Sequence, residues 1–299
     1  MELSKVTAQV KATALELAIL TGHLVLYPSG IAPERLAAPK PSDTQALSDT
    51  PAPSDMPDSP DTPDAPDAPG AEGTVGADGT IGASRRPLVL VHGFVDNRSV
   101  FVVLRRALAR HGRDRVESLN YSPLTCDLRT AAELLRRRVE AIHARTGRAE
   151  VDIVGHSLGG LVARYYVQRL GGDARVRTLV TLGTPHSGTT VAPLADAHPL
   201  VRQMRPGSAV LRELAEPSPG CRTRFVSFWS DLDQVMAPVE TARLDHPDLL
   251  VHNVRVSGIG HLALPVHPTV AAGVLEALDG DGPAAPGVRD GDPGAASVA

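Results

Sequence analysis

The chain has 299 residues, of which 42% are hydrophobic and 21% charged, and its net charge is -4. These values are ordinary for a globular protein, and no Arg/Lys-rich run with interleaved aromatic residues suggests a nucleic-acid partner. The two cysteines, Cys126 and Cys221, match the spacing of no zinc or redox motif. Because a sequence does not give the distance between two Cα atoms, a disulfide and two separate thiols are both compatible with it.

The most apolar stretch is residues 12–27, within an N-terminal segment (1–37) that we expect to be helical. Its length of about 16 residues is short of the roughly 20 needed to span a bilayer. Glu16 and His23 interrupt the apolar run, and no clear cleavage site follows. Three interpretations stay open: a poor signal peptide, an interfacial helix that contacts a membrane or lipid surface, and a helix packed on the folded domain. The first two favour a secreted or membrane-associated protein over a cytoplasmic one.

Residues 38–85 are rich in Pro, Asp, Ser, Ala and Gly, and a Pro-Asp-x unit repeats between positions 57 and 69. Such a segment buries too little apolar surface to offset the entropy of ordering it, so we predict a disordered linker. The tail, 280–299, has the same composition and the same prediction. The folded domain is therefore expected at residues 86–279, a length that suits one domain.

Strand and helix signals alternate along this domain. Strands are predicted at 87–92, 116–121, 151–155, 176–182, 223–228 and 250–256. Helices are predicted at 98–111, 127–145 (with Asp127 as N-cap), 158–170 and 269–278, and a short helix at 208–213 is one interpretation of the long connection that contains it. Continuous apolar strands that alternate with helices predict an α/β fold, with a mostly parallel sheet covered by helices on both faces.

A nucleophile motif lies between the third strand and the third helix. Gly155-His156-Ser157-Leu158-Gly159 fits G-x-S-x-G, in which the glycines let a strand and a helix approach closely at a tight turn. The hydroxyl of Ser157 then stands at a helix N-terminus, where backbone N–H groups stabilise negative charge. A five-residue match can arise by chance, but its position between strand and helix favours a nucleophile.

A serine nucleophile needs a base, and the base needs an acid that fixes its tautomer. His261 lies in the glycine-rich segment that follows the last predicted strand, where the chain can turn back over the sheet edge. Asp231 and Asp233 follow the preceding strand, and either could be the acid.

An oxyanion hole is expected from two backbone N–H groups, those of Phe94 after the first strand and Leu158 after the nucleophile. Asp96 or Asn97 is expected to cap the helix that follows. Four apolar residues beside these motifs suit an aliphatic acyl chain, although each is equally compatible with the core: Val95, Val235, Met236 and Leu262.

The segments PLVLVHGF, VDIVGHSLGGLVARYY, VRTLVTLGTPHSGT, SDLDQVMAP and VSGIGHLALP resemble the small bacterial lipases and esterases of the α/β-hydrolase superfamily. The resemblance implies ester hydrolysis through an acyl-enzyme on Ser157, without metal or organic cofactor, with an ester or lipid as substrate. It implies Asp233 as the acid, in a Ser-x-x-Asp-x-x-Val context where the valine falls one position early, at Val235. It implies His261 as the base.

Several alternatives stay open from the sequence. The same triad would serve an acyltransferase or a thioesterase, and a non-catalytic binding protein could use the same scaffold. Residues 189–220 are long for a connection and could be a partial lid or a loop with one short helix. The preferred acyl length and the oligomeric state are not predicted.

Overall fold

A computed structural model describes residues 85–94, 98–122, 126–190 and 198–280. The N-terminal segment, nearly all of the Pro/Asp-rich linker and the tail after residue 280 lie outside the described residues, and so do Val95, Asp96 and Asn97. The expectations for these parts of the chain stay predictions.

Six strands form one parallel sheet in the order β2-β1-β3-β4-β5-β6. Their residues are mostly apolar and largely buried, as expected for a sheet covered on both faces. The prediction of an α/β fold is confirmed, and all six predicted strands are present. The strands are β1 (Leu88–Val91), β2 (Val116–Leu119), β3 (Val151–His156), β4 (Val176–Leu182), β5 (Arg224–Ser230) and β6 (Leu250–Val256).

The six α-helices of the described residues are α1 (Val102–Arg110), α2 (Leu128–Thr146), α3 (Leu158–Arg169), α4 (Pro199–Gln203), α5 (Ala209–Ala215) and α6 (Pro268–Asp279). A 3-10 turn, Arg98–Phe101, leads into α1. Asp127 caps α2 as predicted, since its side chain accepts a hydrogen bond from Thr130 N at 2.7 Å. The sequence does not predict α4, which begins at Pro199 within the long connection 189–220. Proline is well tolerated at the first position of a helix.

Alternate residues of each strand face two separate apolar cores. In β1, Val89 and Val91 pack into the core beneath α2 and α3, while Leu88 and Leu90 pack into the core beneath α1 and α6. This alternation follows from the two-residue period of a strand. Helices cover both faces of the central strands, whereas His252 and Arg255 of the edge strand β6 are exposed.

The strand order reverses between β1 and β3, because β2 lies on one side of β1 and the later strands on the other. In open α/β sheets such a switch point leaves a crevice beyond the carboxyl ends of the strands, where ligands bind. Gly93 and Phe94 follow β1 there, and Ser157 follows β3. The topology therefore brings the predicted oxyanion loop and the predicted nucleophile to the same edge of the sheet.

A buried ion-pair cluster occupies the opposite edge. Asp152, at the start of β3, lies 3.3 Å from Arg86 Nε and 3.3 Å from Arg113 Nη1. Arg113 also donates to Leu278 O at 2.8 Å and to Asp279 Oδ1 at 2.9 Å, which ties the end of α6 to the sheet. Both Asp152 and Arg113 are almost completely buried.

Cys126 and Cys221 are free thiols, so the structure contains no disulfide between them. Burial is the main cause that raises the pKa of each. Within the part of the chain that the structure describes, no helix combines the length and apolar character needed to cross a membrane.

Candidate active site

The turn between β3 and α3 holds Ser157 in a strained backbone conformation. Its φ of 53° and ψ of -123° make it the only non-glycine residue with positive φ among the described residues. A Cβ on Gly155 would lie 2.6 Å from Gly160 Cα, so only glycine permits this approach of strand and helix. Such strain persists where surrounding packing enforces it, and it is typical of an exposed nucleophile at a strand-to-helix turn.

The first turn of α3 packs directly on the end of β1. A Cβ on Gly159 would lie 2.5 Å from His92 O and even closer to Val91 O. His92 O also accepts a hydrogen bond from Tyr121 OH at 2.8 Å, and the two rings stack with centroids 4.5 Å apart. The chain that leads to Phe94 is thus fixed against the helix that begins at Leu158.

The second half of the site is a buried carboxylate–imidazole pair. Asp233 Oδ2 lies 2.8 Å from His261 Nδ1, and the residues are 2% and 4% exposed. Asp233 Oδ1 accepts from the backbone N–H groups of Val235 at 2.9 Å and Met236 at 3.1 Å, so both carboxylate oxygens are engaged. Asp231 instead contacts Arg255 Nη2 at 3.0 Å and Gly258 N at 3.1 Å, on the surface.

Gly183, directly after β4, connects the two halves. Ser157 N donates to Leu182 O at 2.9 Å, and Thr184 Oγ1 donates to Ser157 O at 3.0 Å. Gly183 lies between Leu182 and Thr184 in the chain, and a Cβ on it would lie 3.0 Å from Asp233 Oδ2 and 3.1 Å from His261 Nδ1. The positive φ of 55° and this crowding both require glycine at position 183. The nucleophile turn and the Asp233–His261 pair therefore both border the segment from Leu182 to Thr184.

The loop that carries His261 is held by three further polar contacts. His156 Nε2 donates to His261 O at 3.3 Å, Ser230 Oγ donates to Ile259 O, and Gly258 N donates to Asp231 Oδ1. The sequence does not predict that His156 or Ser230 contacts this loop. His156 occupies a variable position of the nucleophile motif, and its partner lies 105 residues away, so no local signal could have indicated the contact.

The residues expected to contact an acyl chain differ in their surroundings. Met236 is 2% exposed, whereas Val235 and Leu262 are partly exposed. The backbone of Val235 and Met236 holds Asp233, a contribution that the sequence did not reveal. Substrate contact by these three residues, and by Val95 outside the described residues, stays a prediction.

Much of the segment considered as a lid is anchored to the domain. The Arg164 guanidinium of α3, which is 3% exposed, donates to Leu214 O in α5 at 2.9 Å and to His186 O at 3.1 Å. Burial lowers the pKa of Arg164 to about 9. Glu213 forms an ion pair with Arg129 and accepts from Tyr165 OH at 2.8 Å. Helix α5 is therefore fixed to α2 and α3 by buried and half-buried contacts.

A buried hydrogen-bond chain supports the turn after β4. His186 Nε2 lies 3.0 Å from Thr181 Oγ1. The Thr181 hydroxyl donates to Ser227 Oγ at 3.1 Å, and the Ser227 hydroxyl donates to Ala242 O at 2.9 Å. Because Thr181 donates its only proton to Ser227, it accepts from His186, and Nε2 of His186 therefore carries a proton. Complete burial lowers the pKa of His186 well below its ordinary value of 6.5, and the nearby Arg164 charge lowers it further.

Within the described ranges, no three His, Cys, Asp or Glu side chains form a group that could hold a metal ion.

The sheet order, the nucleophile turn and the site at the switch point define an α/β-hydrolase fold. A solved structure of Aspergillus fumigatus lipase B shares this fold, with a TM-score of 0.60 and 18% sequence identity over 69% of this chain and 55% of that one. The family described as a domain of unknown function, DUF7379, matches residues 61–237, more than half of the chain. The chain therefore belongs to the DUF7379 family.

Two curated relatives carry the name triacylglycerol lipase. The protein of Pseudarthrobacter phenanthrenivorans is 32% identical over 118 residues, 37% of this chain and 36% of that protein. The protein of Burkholderia plantarii is 33% identical over 118 residues, 37% of this chain and 32% of that protein. The chain spans about a third of the length of these relatives, and the resemblance to bacterial lipases of the α/β-hydrolase superfamily is confirmed.

Proposed function

We propose that the protein is a serine hydrolase that cleaves carboxylic esters, with Ser157 as nucleophile, His261 as base and Asp233 as acid. The observation that carries this proposal is the buried 2.8 Å contact between Asp233 Oδ2 and His261 Nδ1, next to a serine held at positive φ. A structural role alone would not require a strained serine beside a buried carboxylate–imidazole pair.

In the proposed mechanism, Asp233 accepts the Nδ1–H of His261 and leaves Nε2 as the basic nitrogen. Nε2 removes the hydroxyl proton of Ser157 as Oγ attacks the ester carbonyl. The backbone N–H groups of Phe94 and Leu158 donate to the oxyanion that forms. Collapse of the tetrahedral intermediate breaks the C–O bond to the alcohol, which leaves with the proton from His261. Water then attacks the acyl-enzyme by the same steps and releases the acid.

The substrate class follows from this chemistry and from the relatives. A neutral imidazole base and two backbone donors suit an acyl carbonyl with a good leaving group, such as an ester. The names of the two curated relatives favour a lipid ester among these. Acyl transfer to an acceptor other than water, or cleavage of a thioester, would use the same residues, so the assay must measure these reactions as well.

The test is hydrolysis of p-nitrophenyl esters, from acetate to palmitate, by the wild type, Ser157→Ala and Ser187→Ala. Ser187 is an exposed serine of the turn after β4 and serves as the matched control. We expect the wild type and Ser187→Ala to hydrolyse the esters and to react with a fluorophosphonate probe. We expect Ser157→Ala to do neither.

A folded wild type that hydrolyses no ester or thioester, transfers no acyl group to an added alcohol and does not react with the probe would refute the proposal. Hydrolysis that persists in Ser157→Ala would refute the assignment of the nucleophile. The ratio of alcohol ester to free acid in the products separates acyl transfer from hydrolysis.

A further inference from the structure

His156 is a fully buried imidazole that lies between the nucleophile and the base loop. Its Nε2 is 3.3 Å from His261 O. The centroids of the two rings are 4.9 Å apart, with their planes tilted by 38°. The nucleophile turn needs only the glycines and the serine of its motif, so the turn itself does not explain an imidazole at this position.

The direction of this hydrogen bond is fixed by chemistry. A carbonyl oxygen only accepts, so Nε2 of His156 carries a proton and donates to His261 O. The same carbonyl accepts from Leu264 N at 3.3 Å. The backbone of the base is thus held by a donor from β3 in addition to one from its own loop.

We propose that His156 is a positioning residue for the base, and this inference rests on the proposed function. Asp233 holds the ring of His261 through Nδ1, and His156 holds its backbone. Two restraints at different ends of one residue fix the direction in which Nε2 of His261 points. Because His156 is bonded directly to Ser157, the second restraint also ties the base to the nucleophile through a single peptide unit.

The expected size of the effect follows from the geometry of proton transfer. A displacement of about 1 Å at the reacting groups can lower the rate by roughly 100-fold. Loss of the donor would remove the hydrogen bond that joins the His261 carbonyl to β3, and the contact between the rings would not by itself fix the loop. We therefore expect loss of the donor to lower kcat by about 10- to 100-fold and to change KM little.

Three variants separate the donor from the ring. In His156→Gln the amide nitrogen reaches about as far along the side chain as Nε2, so the donor is kept. In His156→Asn the amide nitrogen ends near the position of Nδ1 and cannot reach His261 O. His156→Phe keeps a ring of similar shape without a donor. We expect His156→Gln to keep kcat within about threefold of the wild type, and His156→Asn and His156→Phe to lower it by about 10- to 100-fold.

The measurements are kcat and KM for a p-nitrophenyl ester and the rate constant for reaction of Ser157 with a fluorophosphonate. The value of kcat is calculated per molecule that the fluorophosphonate can label. The total amount of label at completion gives the fraction of protein molecules whose Ser157 can react. The fluorescence of Trp229, the single tryptophan, follows unfolding. The proposal predicts that kcat and the labelling rate constant fall together in His156→Asn and His156→Phe and that both are restored in His156→Gln.

A kcat equal to that of the wild type in His156→Asn or His156→Phe would overturn the proposal. Equal losses of kcat and stability in all three variants would also overturn it, since they would indicate that His156 only fills space. These outcomes require an active and labelled wild type, whereas a wild type without either property refutes the proposed function itself.

Discussion

The substitution Gly159→Ala tests whether the packing of α3 on β1 sets the oxyanion hole. The new Cβ would lie 2.5 Å from His92 O, and an ordinary contact begins at 3.4 Å. Val91 O would lie even closer, and both oxygens belong to the backbone. The first turn of α3 and the end of β1 must therefore separate by at least about 0.9 Å, a relief that no side-chain rotation can provide. The backbone N–H groups of Phe94 and Leu158, which we propose as oxyanion donors, lie on opposite sides of this contact.

The expected magnitude follows from that separation. A hydrogen bond of about 2.9 Å that lengthens by about 0.9 Å lies beyond the range in which N–H···O bonds form. The expected effect on kcat is therefore that of losing one oxyanion donor. Such a loss typically lowers kcat by about 100- to 1000-fold, which corresponds to an activation barrier higher by about 2.7–4 kcal/mol. Crowding should also lower the free energy of unfolding by about 1–3 kcal/mol, partly offset by about 1 kcal/mol from the better helix propensity of alanine.

The assay is kcat and KM for p-nitrophenyl esters together with urea unfolding, and the matched control is Gly273→Ala in α6. A Cβ on Gly273 would lie 2.8 Å from Phe228 Cε1, so it is also crowded, but against a side chain. We expect the control to lose stability and keep kcat. A folded Gly159→Ala enzyme with kcat within about threefold of the wild type would show that the contact between α3 and β1 does not set the oxyanion hole.

Three further predictions concern the acid, the far edge of the sheet and pH. Asp233→Asn should lower kcat by about 1000- to 10,000-fold because an amide cannot enforce the same tautomer of His261, whereas Asp231→Asn should change kcat less than about threefold. A larger loss of kcat in Asp231→Asn than in Asp233→Asn would assign the acid to Asp231 instead. Asp152→Ala should lower the free energy of unfolding in urea by about 3–5 kcal/mol, because it leaves the buried Arg113 without one of its carboxylates, and kcat at saturating substrate should not change. Folding lowers the pKa of His186 below its unfolded-state value of 6.5. The stability that the neutral imidazole contributes is therefore complete above pH 6.5 and is lost as the pH falls below 6.5, by up to about 1.4 kcal/mol per pH unit. Urea titrations from about pH 7.5 to 5 should show this slope in the wild type and less of it in His186→Gln, and identical slopes would contradict the prediction.

The sequence by itself determined the elements whose signals are local. A strand with a continuous apolar run and a helix with a regular apolar face each depend on neighbouring residues, and β4 and β6 were predicted with the bounds that the structure has. The nucleophile turn is equally local, because the glycines around Ser157 and the strand and helix beside them lie within a few residues. These signals were sufficient to predict the α/β fold and its parallel sheet.

Only the tertiary structure decided which groups meet. Asp231 and Asp233 follow the same strand, and one of them contacts His261, 28 residues from Asp233, because the turn after β5 directs its side chain inward. The hydrogen bond from His156 to the base loop and the anchoring of α5 by Arg164 likewise join residues far apart in the chain. Such contacts depend on where separate segments return to the sheet edge, and packing of the whole domain fixes those positions.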